Sequence, residues 1–401
     1  MGGPVEARGD AAFRFPLAAA MRAQDEEGEG AREWLTHGFH AYPARMHPGL
    51  ARVLLEELSV GLGSEVLDPF CGSGTVAVEA MVAGWRSLGS DLDPLALRLA
   101  RVKTERRDAR GRERFLQRCA DVAAASERRV RDRTEVRAQL SAEELAWYDV
   151  HVLKELAGLL AEIRAIKDKR DRLALEMVFS AIVVKFSRQR AETAERTSGK
   201  RIRKGLPTEF FVRKAEELVR GWAALAEAAP ASHHTPRFIQ SDARTLPQTL
   251  AGEYRCDLVL TSPPYGGTYD YAQHHARRHA WLGINPKQLR EGEIGARRQL
   301  SGRRARAGAG TQDSAGARWD AQMAAVLVSV ATLLSPEGVA VFLVGDAEVG
   351  GVRLAADKQL ERLAGAAELE VVAVASQPRP DWRGGPPRTE HLVALRPRSL
   401  G

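Results

Sequence analysis

Apolar residues along this chain follow two rhythms, and the change between them divides it. From residue 62 onward, short apolar runs alternate with helical stretches. SEVLDPF (64–70) reads as a strand, and GSGTVAVEAMVAG (72–84) as a helix entered through glycines and left at Gly84. RSLGSDLD (86–93) reads as a second strand and PLALRLARVKTERR (94–107) as a second helix. Alternation of this kind builds a parallel sheet with crossover helices. From about 105 to 230 only helical spacing remains. Ser141 and Glu144 form a capping box, and Leu153, Leu156, Leu160 and Ile163 recur at helical intervals. Strand rhythm returns with RFIQSDA (237–243), CDLVLTSPP (256–264), GVAVFLVGD (338–346), ELEVVAVAS (368–376) and HLVALRP (391–397). The pattern predicts a seven-stranded α/β sheet with a helical insertion between its second and third strands.

Four segments follow: 1–35, 36–104, 105–235 and 236–401. The first contains AQDEEGEGAR and little apolar periodicity, and is expected to be a mobile lead-in. With 44% hydrophobic residues in 401, the chain can bury a large core. Its longest nearly apolar run, MAAVLVSVATLL (323–334), is too short to cross a bilayer, and the N-terminus has no apolar signal core. These features predict a cytoplasmic protein without membrane contact. Three scattered cysteines (Cys71, Cys119, Cys256) and two isolated His pairs (233–234, 274–275) make neither a disulfide framework nor a metal site.

Chemistry concentrates at the strand ends. In DPFCGSGT (68–75) the glycines lie between a strand and a helix, where backbone approaches a ligand closely and helix N–H groups face it. A tight packing turn explains the same glycines, and the GK[ST] of a P-loop and the third glycine of a dinucleotide fingerprint are missing. The second strand ends in Asp91 and Asp93, where a doubly wound sheet holds ribose hydroxyls. The third ends in Asp242, placed to accept from an adenine amino group. Three acidic strand tips at one sheet edge favour a nucleoside ligand.

DPFCGSGT, GSDLDP, QSDA and TSPPY, in that order, resemble the motifs of S-adenosylmethionine-dependent methyltransferases that modify exocyclic amino groups of bases. SPPY after Thr261 looks most like the cytosine-N4 DNA methyltransferases of restriction–modification systems, whereas adenine-N6 enzymes more often carry DPPY. HGFHAYPARMHPGLA (37–51) is similar to the family's N-terminal cofactor segment. The resemblance covers about 36–104 and 236–397. It implies a Rossmann-like fold, S-adenosyl-L-methionine as cofactor, and cofactor contacts from Tyr42, Pro43, Arg45, Asp68, Phe70, Gly72, Gly74, Thr75, Asp91, Asp93 and Asp242. Residues 36–104 then form the cofactor-binding part of the methyltransferase domain and 236–401 the catalytic part.

On this reading Ser262 and the Pro263 carbonyl accept the protons of the target amine, the two prolines fix them, and Tyr265 stacks on the base. Pro263 and Pro264 also suit an ordinary proline-terminated strand, and Tyr269 and Tyr271 suit either the base pocket or the core. A base in a duplex would have to be flipped out to reach this site. The net charge of +7 has two foci, RQRAETAERTSGKRIRK (188–204) and the loop RRQLSGRRARAGAGTQDSAGAR (297–318). Arg201, Arg203, Arg297, Arg298, Arg303, Arg304 and Arg306 are the candidate phosphate contacts, although charge runs are often only solvated faces. The reading favours cytosine N4 in double-stranded DNA. RNA methylation at an amine such as guanine N2, or a non-catalytic nucleic-acid-binding role, are the alternatives.

Overall fold

A computed structural model describes residues 2–58, 64–134, 136–190, 201–232, 234–300, 315–349, 352–380 and 387–398. Among the described residues there are ten strands: β1 (Glu6–Gly9), β2 (Glu65–Asp68), β3 (Arg86–Asp91), β4 (Arg237–Gln240), β5 (Cys256–Thr261), β6 (Leu334–Gly345), β7 (Ala347–Val349), β8 (Val352–Leu354), β9 (Leu369–Arg379) and β10 (Arg388–Pro397). Eight form one sheet in the order β1-β9-β10-β6-β5-β2-β3-β4, and β7 and β8 make a separate hairpin. Strands β4, β3, β2, β5 and β6 are parallel, while β10 runs antiparallel to both β6 and β9. This is the Rossmann-like arrangement expected, and all seven expected strands form.

The central strands are buried on both faces, as parallel strands covered by helices must be. Leu67, Val259, Phe342 and Val374 pack one face under helices Ala315–Leu333 and Ala356–Ala364. Val66, Leu258, Val341 and Ala373 pack the other under helices Ala11–Glu26, Pro48–Glu57 and Thr75–Ala83. The sheet reverses its strand order between β2 and β5, so a crevice opens at their carboxyl ends.

The N-terminal segment is not a loose lead-in. Strand β1 adds to β9, pairing Glu6 with Ser376 and Gly9 with Ala373. Helix Ala11–Glu26 is capped by Asp10 and buries Leu17, Ala20 and Met21 completely. Acidic residues at 25–29 mask an apolar stripe at 13–21, and that stripe finds the sheet.

The helices of the insertion are Ala109–Arg131, Ala142–Leu145, Val150–Ala165, Lys169–Val183 and Leu206–Ala228, and no strand longer than a single bridge residue occurs among its described residues. Ser141 caps its helix by accepting from Glu144 N (3.2 Å), but that helix ends after one turn and the next begins at Val150. The insertion carries its own core, in which Phe115, Phe179, Phe211 and Trp222 surround Leu95, Leu99 and Val102 of helix Pro94–Lys103. Trp222 Nε1 donates to the Val102 carbonyl at 2.7 Å. The insertion is therefore clamped to the helix that follows β3.

Candidate functional site

The strand tips lock to one another before they form anything else. Asp68, at the end of β2, accepts from the Thr261 hydroxyl at the end of β5 (2.7 Å) and from Phe70 N (3.1 Å). Asp91, at the end of β3, accepts from Gly72 N (2.9 Å) and Asp93 N (2.8 Å). Burial pushes both carboxyls up to about 7, and for Asp91 the neighbouring Asp93 and Asp68 add to the effect. Each Asp91 oxygen keeps a second lone pair.

The glycines of the loop have separate reasons. Gly72 is at φ +46°, and a Cβ there would meet the Tyr42 ring at 3.0 Å. Gly74 (φ +82°) opens helix Thr75–Ala83, and a Cβ there would sit 2.8 Å from Ala100. Close packing on Ala100 accounts for a glycine at 74, and Gly74 does not line the narrow cleft. Behind the loop lies a buried polar group. His37 pairs with Glu79 at 2.7 Å, and Lys103 reaches Ser73 Oγ at 3.5 Å. Burial lowers the Lys103 and His37 pKa values and raises that of Glu79 to about 7.

Tyr42 forms a wall opposite Gly72. Its ring stacks on His275 (centroids 4.9 Å, 30°), which is fully buried and has neither ring nitrogen hydrogen-bonded. Burial drives the His275 pKa well down, so a neutral, flat imidazole backs the tyrosine. The same segment reaches the insertion through His40 Nε2 and Ser180 Oγ (3.0 Å). Arg45 is fixed by donating to the His37 carbonyl.

Two clefts open at this edge and share Tyr42, Ala44, Arg45 and Ser262. Into the narrow one, about 90 Å³, converge Tyr42, Pro43, Arg45, Asp68, Phe70, Gly72, Thr75, Asp91, Asp93, Asp242, Ser262 and Pro264. Its apolar walls include Leu92, Leu289 and Ile294. The wide one, about 590 Å³, takes Tyr265, Tyr269, Arg297, Arg379, Arg388, Asp346, Glu348 and Glu390. Tyr271 lines the narrow cleft and Tyr269 the wide one, with rings 5.8 Å apart.

Several expected residues have other work. Asp93 caps helix Pro94–Lys103 through Leu95 N (2.9 Å) and pairs with His279 (2.9 Å), with only 2% of its side chain exposed. Asp242 holds Arg244 with both oxygens, and Arg244 reaches the Gly292 carbonyl at 3.1 Å. The Tyr265 ring lies against Gly345, and its hydroxyl donates to Glu390 Oε1 at 3.3 Å. Pro263 is buried beside Trp319 and Met323. Arg298 is held by Glu293 (2.5 Å) and Asp270 (3.3 Å). Arg203 pairs with Glu209 on the insertion, and neither it nor Arg201 lines either cleft. Arg303, Arg304 and Arg306 lie outside the described residues. No group of three or more potential metal ligands occurs among the described residues.

Glu293 was not anticipated. It is 4% exposed, lines the narrow cleft and accepts from Tyr271 N at 2.5 Å. Burial raises its pKa against the opposing pull of Arg298. It stands in a loop after helix Lys287–Gly292, with no local sequence signal to mark it.

A family model described as UPF0020, RMKL-like methyltransferase domain, matches residues 38–133. The chain is 41% identical over 73 residues to the type II methyltransferase M.MvaI of Kocuria varians, covering 18% of this chain and 16% of that protein. It is 44% identical over 52 residues to a tRNA (guanine(10)-N2)-dimethyltransferase of Methanothermobacter thermautotrophicus, covering 13% and 16%. A longer match, 24% over 278 residues, joins it to the type II methyltransferase M.BsoBI of Geobacillus stearothermophilus and covers 64% of this chain and 54% of that one. The chain thus spans about half the length of the last relative and under a fifth of the others.

The cofactor these residues suit is S-adenosyl-L-methionine. The narrow cleft supplies a buried carboxylate with open lone pairs (Asp91), a glycine-relieved wall at Tyr42, and an apolar slot closed by Phe70, Leu289 and Ile294. Ribose hydroxyls, a methionine arm and an adenine ring match those three surfaces in kind.

Proposed function

We propose that this chain transfers a methyl group from S-adenosyl-L-methionine to an exocyclic amino group of a nucleic-acid base, with N4 of cytosine in DNA as the target. One observation carries the reading: Ser262 lines both clefts, at the point where a cofactor chamber meets a far wider one. Asp91 would hold the ribose, Tyr42, Pro43, Arg45, Asp68 and Thr75 the methionine arm, and Phe70, Leu289, Ile294 and Asp242 the adenine. When bound, the cofactor supplies an electrophilic methyl group. Residues 36–104 and 236–401 form the methyltransferase unit on this reading, and 105–235 braces it.

The chain's own residues act on the amine. A base amino nitrogen is a poor nucleophile because its lone pair is delocalised into the ring. Holding its protons on the Ser262 hydroxyl and the Pro263 carbonyl favours the rehybridised nitrogen, and proline-restricted backbone keeps both acceptors in place. Tyr265 and Tyr269 offer ring surface to the base, and Arg297 and Arg388 offer positive charge to phosphates on the rim of the wide cleft.

A second reading is methylation of guanine N2 in RNA. Asp346, Glu348 and Glu390 put carboxylates in the wide cleft, and guanine presents two N–H donors on one edge. The matched tRNA dimethyltransferase segment supports this option. Incubation with methyl-labelled cofactor and either duplex DNA or total RNA, followed by digestion and identification of the labelled nucleoside, decides. N4-methylcytosine in DNA is the expected product. Label only in RNA overturns the substrate, and cofactor binding without labelling of either leaves a non-catalytic binding protein.

A further inference from the structure

Two stretches of chain outside the sheet are laced together beside both clefts. One, 267–271, comes shortly after the end of β5, and the other, 293–298, follows helix Lys287–Gly292. Gly267 N donates to the Gly295 carbonyl at 2.9 Å, and Arg297 N to the Tyr269 carbonyl at 3.2 Å. Arg298 N donates to Asp270 Oδ1 at 3.1 Å, and Tyr271 N to Glu293 Oε1 at 2.5 Å. The second stretch is also seated on helix Ala315–Leu333. Gly295 N donates to Gln322 Oε1 at 3.0 Å, and a Cβ at 295 would lie 2.6 Å from the Trp319 ring.

The lacing alternates between the clefts. Tyr271, Glu293 and Ile294 line the narrow one, while Gly267, Tyr269 and Arg297 line the wide one. Glu293 is the joint. Its side chain is 2% exposed and both its oxygens are engaged, Oε1 by Tyr271 N and Oε2 by Arg298 Nη1 at 2.5 Å. Arg298 carries on to Asp270 Oδ1 (3.3 Å) and to the Arg290 carbonyl (2.6 Å). We propose that Glu293 is a positioning residue for both ligands, tying the wall of the cofactor slot to the rim of the nucleic-acid cleft. The inference rests on the functional reading above and deepens it.

The joint calls for a carboxylate. It must accept from a backbone N–H on one side and from a guanidinium on the other, and hydrogen bonds with an ionised partner are the strong ones. A glutamine at 293 can turn its oxygen to only one of these donors and sets an N–H against the other. Either way the joint opens, and the stretch that carries both Ile294 and Arg297 loses its fixed place. Glu293 thus works through Tyr271, Arg298 and their neighbours rather than on the reacting atoms.

Three variants separate a joint from a wall. Leu289→Ala cuts back the slot and should weaken S-adenosyl-L-methionine binding by calorimetry, with no change in KM for whichever nucleic acid the wild type methylates. Arg297→Ala should do the reverse. Glu293→Gln should raise both constants, each by about 3–10-fold, the net worth of one hydrogen bond. Its kcat should change less than either constant, the pattern left by lost binding rather than lost chemistry. In protein labelled with ¹⁵N at tyrosine, Tyr271→Phe identifies one amide resonance among the six tyrosines, and Glu293→Gln should move it. An unmoved resonance, or a rise in one constant alone or in neither, overturns the joint. A wild type that binds the cofactor but methylates neither DNA nor RNA overturns the functional reading and the nucleic-acid half of the proposal. The resonance and the cofactor constant then still judge the other half.

Discussion

The narrow and wide clefts share Ser262 but are built in opposite ways. The narrow cleft is floored by the ends of β2, β3 and β5 and the turns after them, with Tyr42, Asp242, Leu289 and Glu293 added from other stretches. Its acids are tied to backbone N–H groups and to a neighbouring strand tip, so the parallel sheet sets its shape. The wide cleft draws Gln24, Arg32, Tyr269, Arg297, Arg379 and Glu390 from separate stretches of the chain. Its charged groups are held mostly by one another, as in the Asp25–Arg379–Glu390 row. A site built by strand tips is rigid and suits one small ligand. A site built by distant side chains is adjustable, which suits a large target whose recognition varies.

The largest effect should come where the clefts meet. Ser262→Ala removes one proton acceptor from the amine and should lower kcat by about 10²–10³-fold, as the loss of a preorganised polar contact does elsewhere. Calorimetry of the same variant should show near-normal cofactor affinity. A parallel collapse of affinity would mean the clefts are not separable.

Next in size is a pH effect confined to the narrow cleft. Asp68 and Asp91 sit at about 7 in the folded protein against 3.8 for an exposed aspartate. A raised folded pKa favours the protonated folded form. The stability this provides is complete below about 4 and is lost as pH rises through about 7. Hydroxyl donors on a ligand prefer ionised Asp91, so cofactor affinity should rise with pH through 7 and binding at pH 6 should release a proton. Titrations at pH 6 in buffers of different ionisation enthalpy measure that proton. Zero release would mean Asp91 is already ionised in the free protein.

Rim charge should matter least. Arg297→Ala should weaken nucleic-acid binding several-fold at moderate salt and reduce the slope of log affinity against log salt by about 1, the mark of one lost phosphate contact. Cofactor affinity should not move. An unchanged slope would place the nucleic acid elsewhere.

The two clefts also differ in how far the sequence reveals them. Asp68 and Asp91 were legible because each ends a buried strand run, and Asp242 because it follows the edge strand β4; a parallel sheet brings such tips to one edge. Ser262 was legible because two prolines end its strand. The exact duty of each acid was not. Asp93 looks like Asp91 in GSDLDP, yet it caps the next helix and holds His279, a partner 186 residues away. Glu293 and Glu390 were invisible for the same reason: only the packing of remote segments brings them to the site. The N-terminal helix was missed because its apolar stripe adjoins an acidic run. The seven strands and the helical insertion were legible from period alone, but the sheet order and the clamp of Trp222 on Val102 needed coordinates.

The most direct test of the account is calorimetric titration of S-adenosyl-L-methionine into wild type, Asp91→Asn and Arg297→Ala. Asp91→Asn should weaken binding by about tenfold or more, the cost of hydrogen bonds to a charged acceptor, while Arg297→Ala should bind as the wild type does. Equal affinity in all three, or a loss in Arg297→Ala alone, would contradict the assignment of the narrow cleft to the cofactor.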